Sequence, residues 1–169
     1  MADKLRISGM IEESIVDGPG VRFVIFAQGC VHNCKGCHNP HTFALDGGFL
    51  VTLDEVFKSI SKNSLITGVT FSGGEPFLQA TNFSKLAKKV HSIGLGVMAY
   101  TGYIFENLLS NGRNFNEGMF DLLNNIDILV DGPFKIKEKS LLLKFKGSKN
   151  QRIIDVKKSL KEGKTVVIG

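Results

Sequence analysis

The sequence has few cysteines, no tryptophan and no long apolar run, and each scarcity narrows what the chain can be. Only three of its 169 residues are cysteine. An odd number of thiols does not make a disulfide framework, so three cysteines favour metal binding or catalysis. The first residues, Met-Ala-Asp-Lys, lack the apolar core of a signal peptide, and we expect a cytoplasmic protein. No stretch approaches the roughly 18 apolar residues of a membrane span.

Charge is present but is spread along the chain. The formal net charge is +5, and the lysines are interleaved with acids at helical spacing, as at Lys85, Lys88 and Lys89. This spacing is typical of solvated helix faces and not of a nucleic-acid surface. With 43% hydrophobic residues, we expect one domain over residues 1–169, and a chain of this size buries roughly 70% of its unfolded surface.

Strand and helix patterns alternate along the chain. A capping box, Thr52-Leu-Asp-Glu55, marks the start of the first helix. Short apolar runs predict strands at residues 21–27, 68–72, 95–100, 126–131, 141–145, 152–156 and 165–168. Further helices are predicted near residues 83–90 and at 103–110, 117–124 and 157–162.

This order predicts an α/β fold with a mainly parallel sheet. A complete barrel of eight β/α units needs about 250 residues. We therefore expect a partial, open β/α barrel, with the functional face at the C-terminal ends of its strands.

All three cysteines lie on the loop after the first predicted strand, with the spacing Cys30-x3-Cys34-x2-Cys37. Residues 34–38 match the attachment pattern of c-type haem, but that interpretation leaves Cys30 unexplained and requires export. A 4Fe–4S cluster held by three cysteines would leave one iron open to an outside ligand, as substrate chemistry requires. A structural zinc site is the remaining alternative, with a fourth ligand from His32, His38 or His41.

A second motif, Ser72-Gly73-Gly74-Glu75-Pro76, ends the second predicted strand. Glycines let a backbone approach a ligand closely, and Glu75 offers a negative acceptor to an ammonium group. No Gly-Lys-Ser/Thr follows, which argues against a phosphate-binding P-loop.

Together, the two motifs resemble the signature of the radical S-adenosylmethionine (SAM) superfamily. The resemblance implies that Cys30, Cys34 and Cys37 hold one 4Fe–4S cluster as the catalytic and metal-binding residues. It also implies that SAM is a cosubstrate whose amino and carboxylate groups complete the coordination of the fourth iron. The superfamily contacts SAM at the positions of Gly36, Cys37, His38, Gly73, Gly74 and Glu75.

Longer stretches of the sequence indicate which group within the superfamily the chain resembles. Residues 16–30 and the sequence Cys-His-Asn-Pro at 37–40 are similar to the activases of glycyl-radical enzymes. The stretches at 128–134 and 145–156 are similar to the activating proteins of anaerobic ribonucleoside-triphosphate reductase, although that family more often has Arg and Ser where this chain has Lys146 and Lys149. This likeness spans nearly the whole chain.

The family implies two partners: the large subunit of the reductase as protein substrate, and an electron donor such as flavodoxin or ferredoxin. An activase of another glycyl-radical enzyme, such as pyruvate formate-lyase, and a non-catalytic three-cysteine metal or electron-carrier module remain as alternatives. Asp17 and Asp131 can be site-lining residues or parts of turns. The cationic stretch at residues 145–152 is a candidate docking segment for an acidic partner surface, or a turn with solvated lysines.

Overall fold

The computed structural model describes residues 2–115 and 117–169, and seven strands in it form one sheet. The strands are β1 (Lys4–Ser14), β2 (Arg22–Ala27), β3 (Phe49–Thr52), β4 (Gly68–Gly73), β5 (Gly96–Tyr100), β6 (Ile128–Asp131) and β7 (Arg152–Asp155). Their order across the sheet is β3-β1-β2-β4-β5-β6-β7.

Five helices connect or follow these strands: α1 (Leu53–Lys62), α2 (Ala80–Ser92), α3 (Phe105–Phe115), α4 (Glu117–Asn124) and α5 (Val156–Glu162). The predicted capping box is confirmed, because Thr52 Oγ1 accepts from the Glu55 backbone N–H and Glu55 Oε2 accepts from the Thr52 backbone N–H. In the part of the chain that the structure describes, no helix is long and apolar enough to cross a membrane.

The four central strands, β2, β4, β5 and β6, run parallel, as the alternation of strands and helices predicts. The edges differ from the prediction. The unpredicted β1 pairs antiparallel with both β2 and β3, and β7 pairs antiparallel with β6. The reason is local: no crossover helix separates β1 from β2 or β6 from β7, so each pair can form with its strands antiparallel.

Two predicted strands are wrong. Residues 141–145 form bends and turns, with Leu141 and Leu142 exposed, so the apolar run there has no sheet neighbour to bury it. Residues 165–168 contribute a single bridge, between Val167 and Ile154, in place of a strand. In both cases a short apolar run alone does not determine a strand.

One face of the sheet packs on the helices and the other carries the site. Alternate residues, such as Phe23 and Ile25 of β2 and Phe71 of β4, belong to the hydrophobic core. Their neighbours in sequence point to the opposite face, since side chains alternate along a strand. There the β1–β2 connection crosses the sheet, with Thr70 Oγ1 donating to the Asp17 carbonyl oxygen at 2.8 Å.

Candidate active site

The two predicted motifs meet at the C-terminal ends of β2 and β4. These strands are paired in register up to Ala27 and Gly73. Beyond them, the Gly74 backbone N–H donates to the Ala27 carbonyl and the Glu75 N–H donates to the Gly29 carbonyl, each at 2.8 Å. The start of the cysteine loop and the glycine pair are therefore joined by backbone hydrogen bonds.

The glycines are required for this junction. Gly73 has a φ of +88°, and a Cβ there would lie 2.6 Å from the Ala27 nitrogen. A Cβ at Gly74 would lie 2.3 Å from the Gly29 oxygen. Either side chain would push the two loops apart, so the glycine pair permits a close approach between backbones as well as toward a ligand.

Cys30, Cys34 and Cys37 line one cavity together with Gly73 and Gly74. All three thiols are free and half-buried. Burial raises the pKa of the Cys30 thiol, and the neighbouring Glu75 acts in the same direction. The raised pKa favours the protonated thiol. A bound metal would reverse this preference, since coordination deprotonates a thiol outright.

Among the described residues, no three His, Cys, Asp or Glu side chains converge closely enough to hold a single metal ion. A structural zinc ion needs all four ligands within about 2.3 Å of one point. A 4Fe–4S cluster instead distributes its cysteines over separate irons. The two alternatives for the cysteines therefore differ in the geometry that they require of the three thiols.

Glu75 lies behind this cavity with its side chain fully buried. Its Oε1 accepts from the Phe77 backbone N–H at 3.0 Å, and its Oε2 accepts from the Gly102 N–H at 2.9 Å. The Thr101 hydroxyl is within 3.0 Å of both oxygens. The carboxylate thus binds the loop after β4 to the loop after β5, and it is not among the residues that line the cavity.

His32 lies on the cysteine loop and links that loop to Glu75. Its Nε2 lies 2.6 Å from Glu75 Oε2, and its ring packs edge-on against Tyr103 with centroids 4.6 Å apart. A Cβ at Gly102 would lie 2.4 Å from the His32 ring. His32 is therefore engaged with protein groups, which makes it a poor candidate for the fourth zinc ligand.

The remaining predicted SAM contacts lie on the same loop. His38 is exposed, lines a cavity of about 390 Å³ beside Cys37, and packs its ring against Phe134 with centroids 5.1 Å apart. Gly36 has a φ of +74°, and a Cβ there would meet Ile136 at 2.5 Å. His41 lies in a short 3-10 turn, where its carbonyl oxygen accepts from Gln28.

The two aspartates with open roles differ in their positions. Asp17 lines the larger cavity beside Tyr100 and accepts a hydrogen bond from the Ser14 hydroxyl. Asp131 is buried, accepts from the Phe105 backbone N–H at the start of α3, and pairs with Arg152. Asp131 therefore fixes a helix start and an ion pair, and it is not among the residues lining either cavity.

Two cavity residues, Gln151 and Phe134, were not identified from the sequence as site residues. Gln151 lines both cavities, and its amide ties two loops by accepting from the Gly147 N–H and donating to the Gly132 carbonyl. Phe134 also lines both. The only sequence signal was their position within the family-like stretches at 128–134 and 145–156.

Comparison with known proteins finds relatives that match most of the chain. Residues 16–154 match the family model of a 4Fe-4S single cluster domain. The chain is 34% identical to the anaerobic ribonucleoside-triphosphate reductase-activating protein of Vibrio cholerae, over 82% of this chain and 90% of that protein. It is 33% identical to the protein of the same name from Enterobacteria phage T4, over 82% of this chain and 86% of that protein.

Other similarities are more partial. The pyruvate formate-lyase-activating enzyme of Clostridium pasteurianum is 43% identical, but over only 44% of this chain and 33% of that enzyme. The crystal structure of QueE from Escherichia coli superposes with a TM-score of 0.47 and 17% identity, covering 59% of this chain and 53% of that one. From the near full-length matches, the chain belongs to the anaerobic ribonucleoside-triphosphate reductase-activating proteins, a family of enzymes with a single 4Fe–4S cluster domain.

Proposed function

We propose that this protein activates anaerobic ribonucleoside-triphosphate reductase by generating a glycyl radical on its large subunit. The observation that carries the proposal is the shared cavity of three cysteines and the glycine pair, in a chain with no fourth cysteine. Such a site leaves one iron of a 4Fe–4S cluster for an outside ligand. When bound and reduced, the cluster would supply the electron that cleaves SAM to methionine and a 5′-deoxyadenosyl radical, which takes a hydrogen atom from the glycine Cα.

Each group of residues has a separate part in this proposal. Cys30, Cys34 and Cys37 hold the cluster. The backbone of Gly73 and Gly74, with Gly36, Cys37 and His38 on the facing loop, forms the SAM site. Glu75 contributes indirectly, because its buried carboxylate holds the loops that carry these groups and leaves no oxygen facing the cavity.

The order of the central strands supports a site of the β/α barrel type. Loops after β2, β4, β5 and β6 all contribute to the smaller cavity, which is the arrangement of a β/α barrel site at the C-terminal ends of the strands. We propose a partial barrel that leaves the larger cavity beside Cys37 accessible to an extended protein segment. The electron donor would be a flavodoxin or ferredoxin, and an oxygen-sensitive cluster suits an anaerobic cytoplasm.

The test is anaerobic reconstitution with iron and sulfide, followed by mixing with SAM, a reductant and the purified reductase. A visible iron–sulfur absorbance would exclude zinc, which is d¹⁰ and colourless. A SAM-dependent glycyl radical, read by EPR, would support the activity. A parallel reaction with pyruvate formate-lyase separates the two activases, and a radical formed only there would overturn the assignment to the reductase.

A further inference from the structure

Two exposed segments border the cavity beside Cys37. Val16 and Asp17 of the β1–β2 connection contribute to its wall, and so do Leu143, Phe145 and Lys146 of the β6–β7 connection. These connections belong to opposite halves of the strand order, yet both reach the sheet face that carries the site. A molecule that enters the cavity must therefore pass between them.

The β6–β7 connection has an apolar tip that basic residues flank. Residues 135–149 contain six lysines and one glutamate. At the tip, Leu141 is 90% exposed and Leu142 is 96% exposed. Two adjacent leucines in full contact with water, beside a cavity mouth, are the kind of apolar surface that marks an interaction site.

The cations of this region differ in whether they form ion pairs or hydrogen bonds within the protein. Arg152 is held by Asp131 and Glu106, and the Lys146 ammonium donates to the Gln151 carbonyl at 3.1 Å. In the described part of the chain, Lys139, Lys144 and Lys149 have no ion pair, although Lys144 Nζ lies 6.0 Å from the centroid of the Phe145 ring. The docking segment expected at residues 145–152 is therefore extended to residues 137–144, where cations flank the two leucines.

The end of β1 and the β1–β2 connection together carry the opposite charge. Residues 12–17 contain Glu12, Glu13 and Asp17 and no basic residue. Ile15 is 74% exposed and Val16 is 72% exposed. Apolar surface is thus present on both sides of the cavity, with acids around one side and lysines around the other.

We infer that the cavity mouth is a bipolar docking surface for a protein substrate. The partner fits if it covers both apolar pairs, presents acidic groups to residues 137–144 and presents basic groups to residues 12–17. This opposite charge fixes the direction in which an extended segment of the partner enters the cavity. The inference rests on the proposed function, because it takes the cavity beside the cysteines as the reaction site.

The experiment measures the Kd of reconstituted enzyme for the purified reductase under anaerobic conditions, and in parallel the dithionite-driven SAM cleavage without reductase. Leu141→Ser/Leu142→Ser should weaken binding by about tenfold or more, as loss of apolar hot-spot residues does. Lys139→Glu/Lys144→Glu should also weaken it. The matched control is Lys58→Glu/Lys161→Glu, which makes the same charge change on exposed residues of α1 and α5. The Kd of this control, and the rate of SAM cleavage without reductase in each variant, should change by less than about twofold.

Glu12→Lys/Glu13→Lys provides the decisive variant, with Glu12→Lys alone as a check because Glu13 also accepts from Asn63. A bipolar surface predicts weaker binding for both. A uniformly acidic partner would instead bind these variants more tightly, which would overturn the bipolar inference. Unchanged Kd in the leucine variant would overturn the docking surface itself. If wild-type enzyme neither binds the reductase nor forms a glycyl radical on it, the proposed function fails instead.

Discussion

We predict that Glu75→Gln destabilises the protein before any cofactor is bound. Glutamine keeps the volume of the side chain and one carbonyl oxygen, which can still accept from the Phe77 N–H. The amide NH₂ replaces Oε2, the atom that now accepts from the Gly102 N–H at 2.9 Å and faces His32 Nε2 at 2.6 Å. The Gly102 N–H would then face a donor, and His32 would lose its acceptor in the tautomer that carries hydrogen on Nε2.

The size of the effect follows from these two contacts. A buried donor left without an acceptor costs roughly 1–3 kcal/mol. The His32 side chain is 16% exposed and can turn toward water, so the lower part of the combined range applies, about 2–4 kcal/mol. For a chain of this size each kcal/mol lowers Tm by roughly 2–4 °C, so the expected decrease is about 4–16 °C.

The assay is anaerobic thermal unfolding of the apoprotein, beside iron content and SAM affinity of the reconstituted protein. Glu55→Gln is a matched control, because Glu55 is exposed on α1 and glutamine also completes a capping box. Its Tm should stay close to that of the wild type. If Glu75→Gln left the apoprotein Tm unchanged while abolishing SAM binding, Glu75 would be a direct SAM contact and the indirect role would be refuted.

Three further outcomes are expected. Cys34→Ala should abolish cluster binding and SAM cleavage while the apoprotein still unfolds cooperatively, and wild-type cleavage in this variant would contradict the cluster assignment. Gly74→Val should reduce both iron content and SAM affinity, because its side chain would displace the Gly29 carbonyl; a loss of SAM affinity alone would argue that the two loops are independent. Hydrogen bonds from Arg152 lower the pKa of Glu106 to about 2, below its unfolded value near 4.3. Its contribution to stability is therefore complete above about pH 4.5 and lost as pH falls toward 2, so Glu106→Gln should flatten that part of a pH–stability curve; equal acid sensitivity would contradict the ion pair.

The central strands and the meeting of the two motifs could be predicted from the sequence, because both depend on local patterns. Parallel strands bring their C-terminal ends to one edge, so the loops after residues 27 and 72 were expected to meet there. The edge strands could not be predicted in the same way. In β1 the alternation of Leu5 and Ile7 is interrupted by a register shift near Gly9, and a period of two is lost there.

The contacts of the Glu75 side chain could not be predicted from the sequence for a different reason. The direction of this side chain depends on His32 and Thr101, which are 43 and 26 residues away. Similarly, nothing local distinguishes Arg152, held in two ion pairs, from Lys139 and Lys144, which form no ion pair with any residue that the structure describes. Partners that are distant in the chain decide which charges are free.

Contacts between protein groups hold both the base and the middle of the cysteine loop. Its base is closed by backbone hydrogen bonds from Gly29 to Thr42 and from Cys30 to Phe43, and its middle is held by His32 on Glu75. In small zinc domains the metal supplies the folding free energy, and removal of the metal unfolds the chain. Here the sheet and the buried carboxylate also contact the loop, so we expect cluster binding to change the structure only locally. Loss of the cluster to oxygen should therefore remove the chemistry and leave a folded protein that can be loaded again.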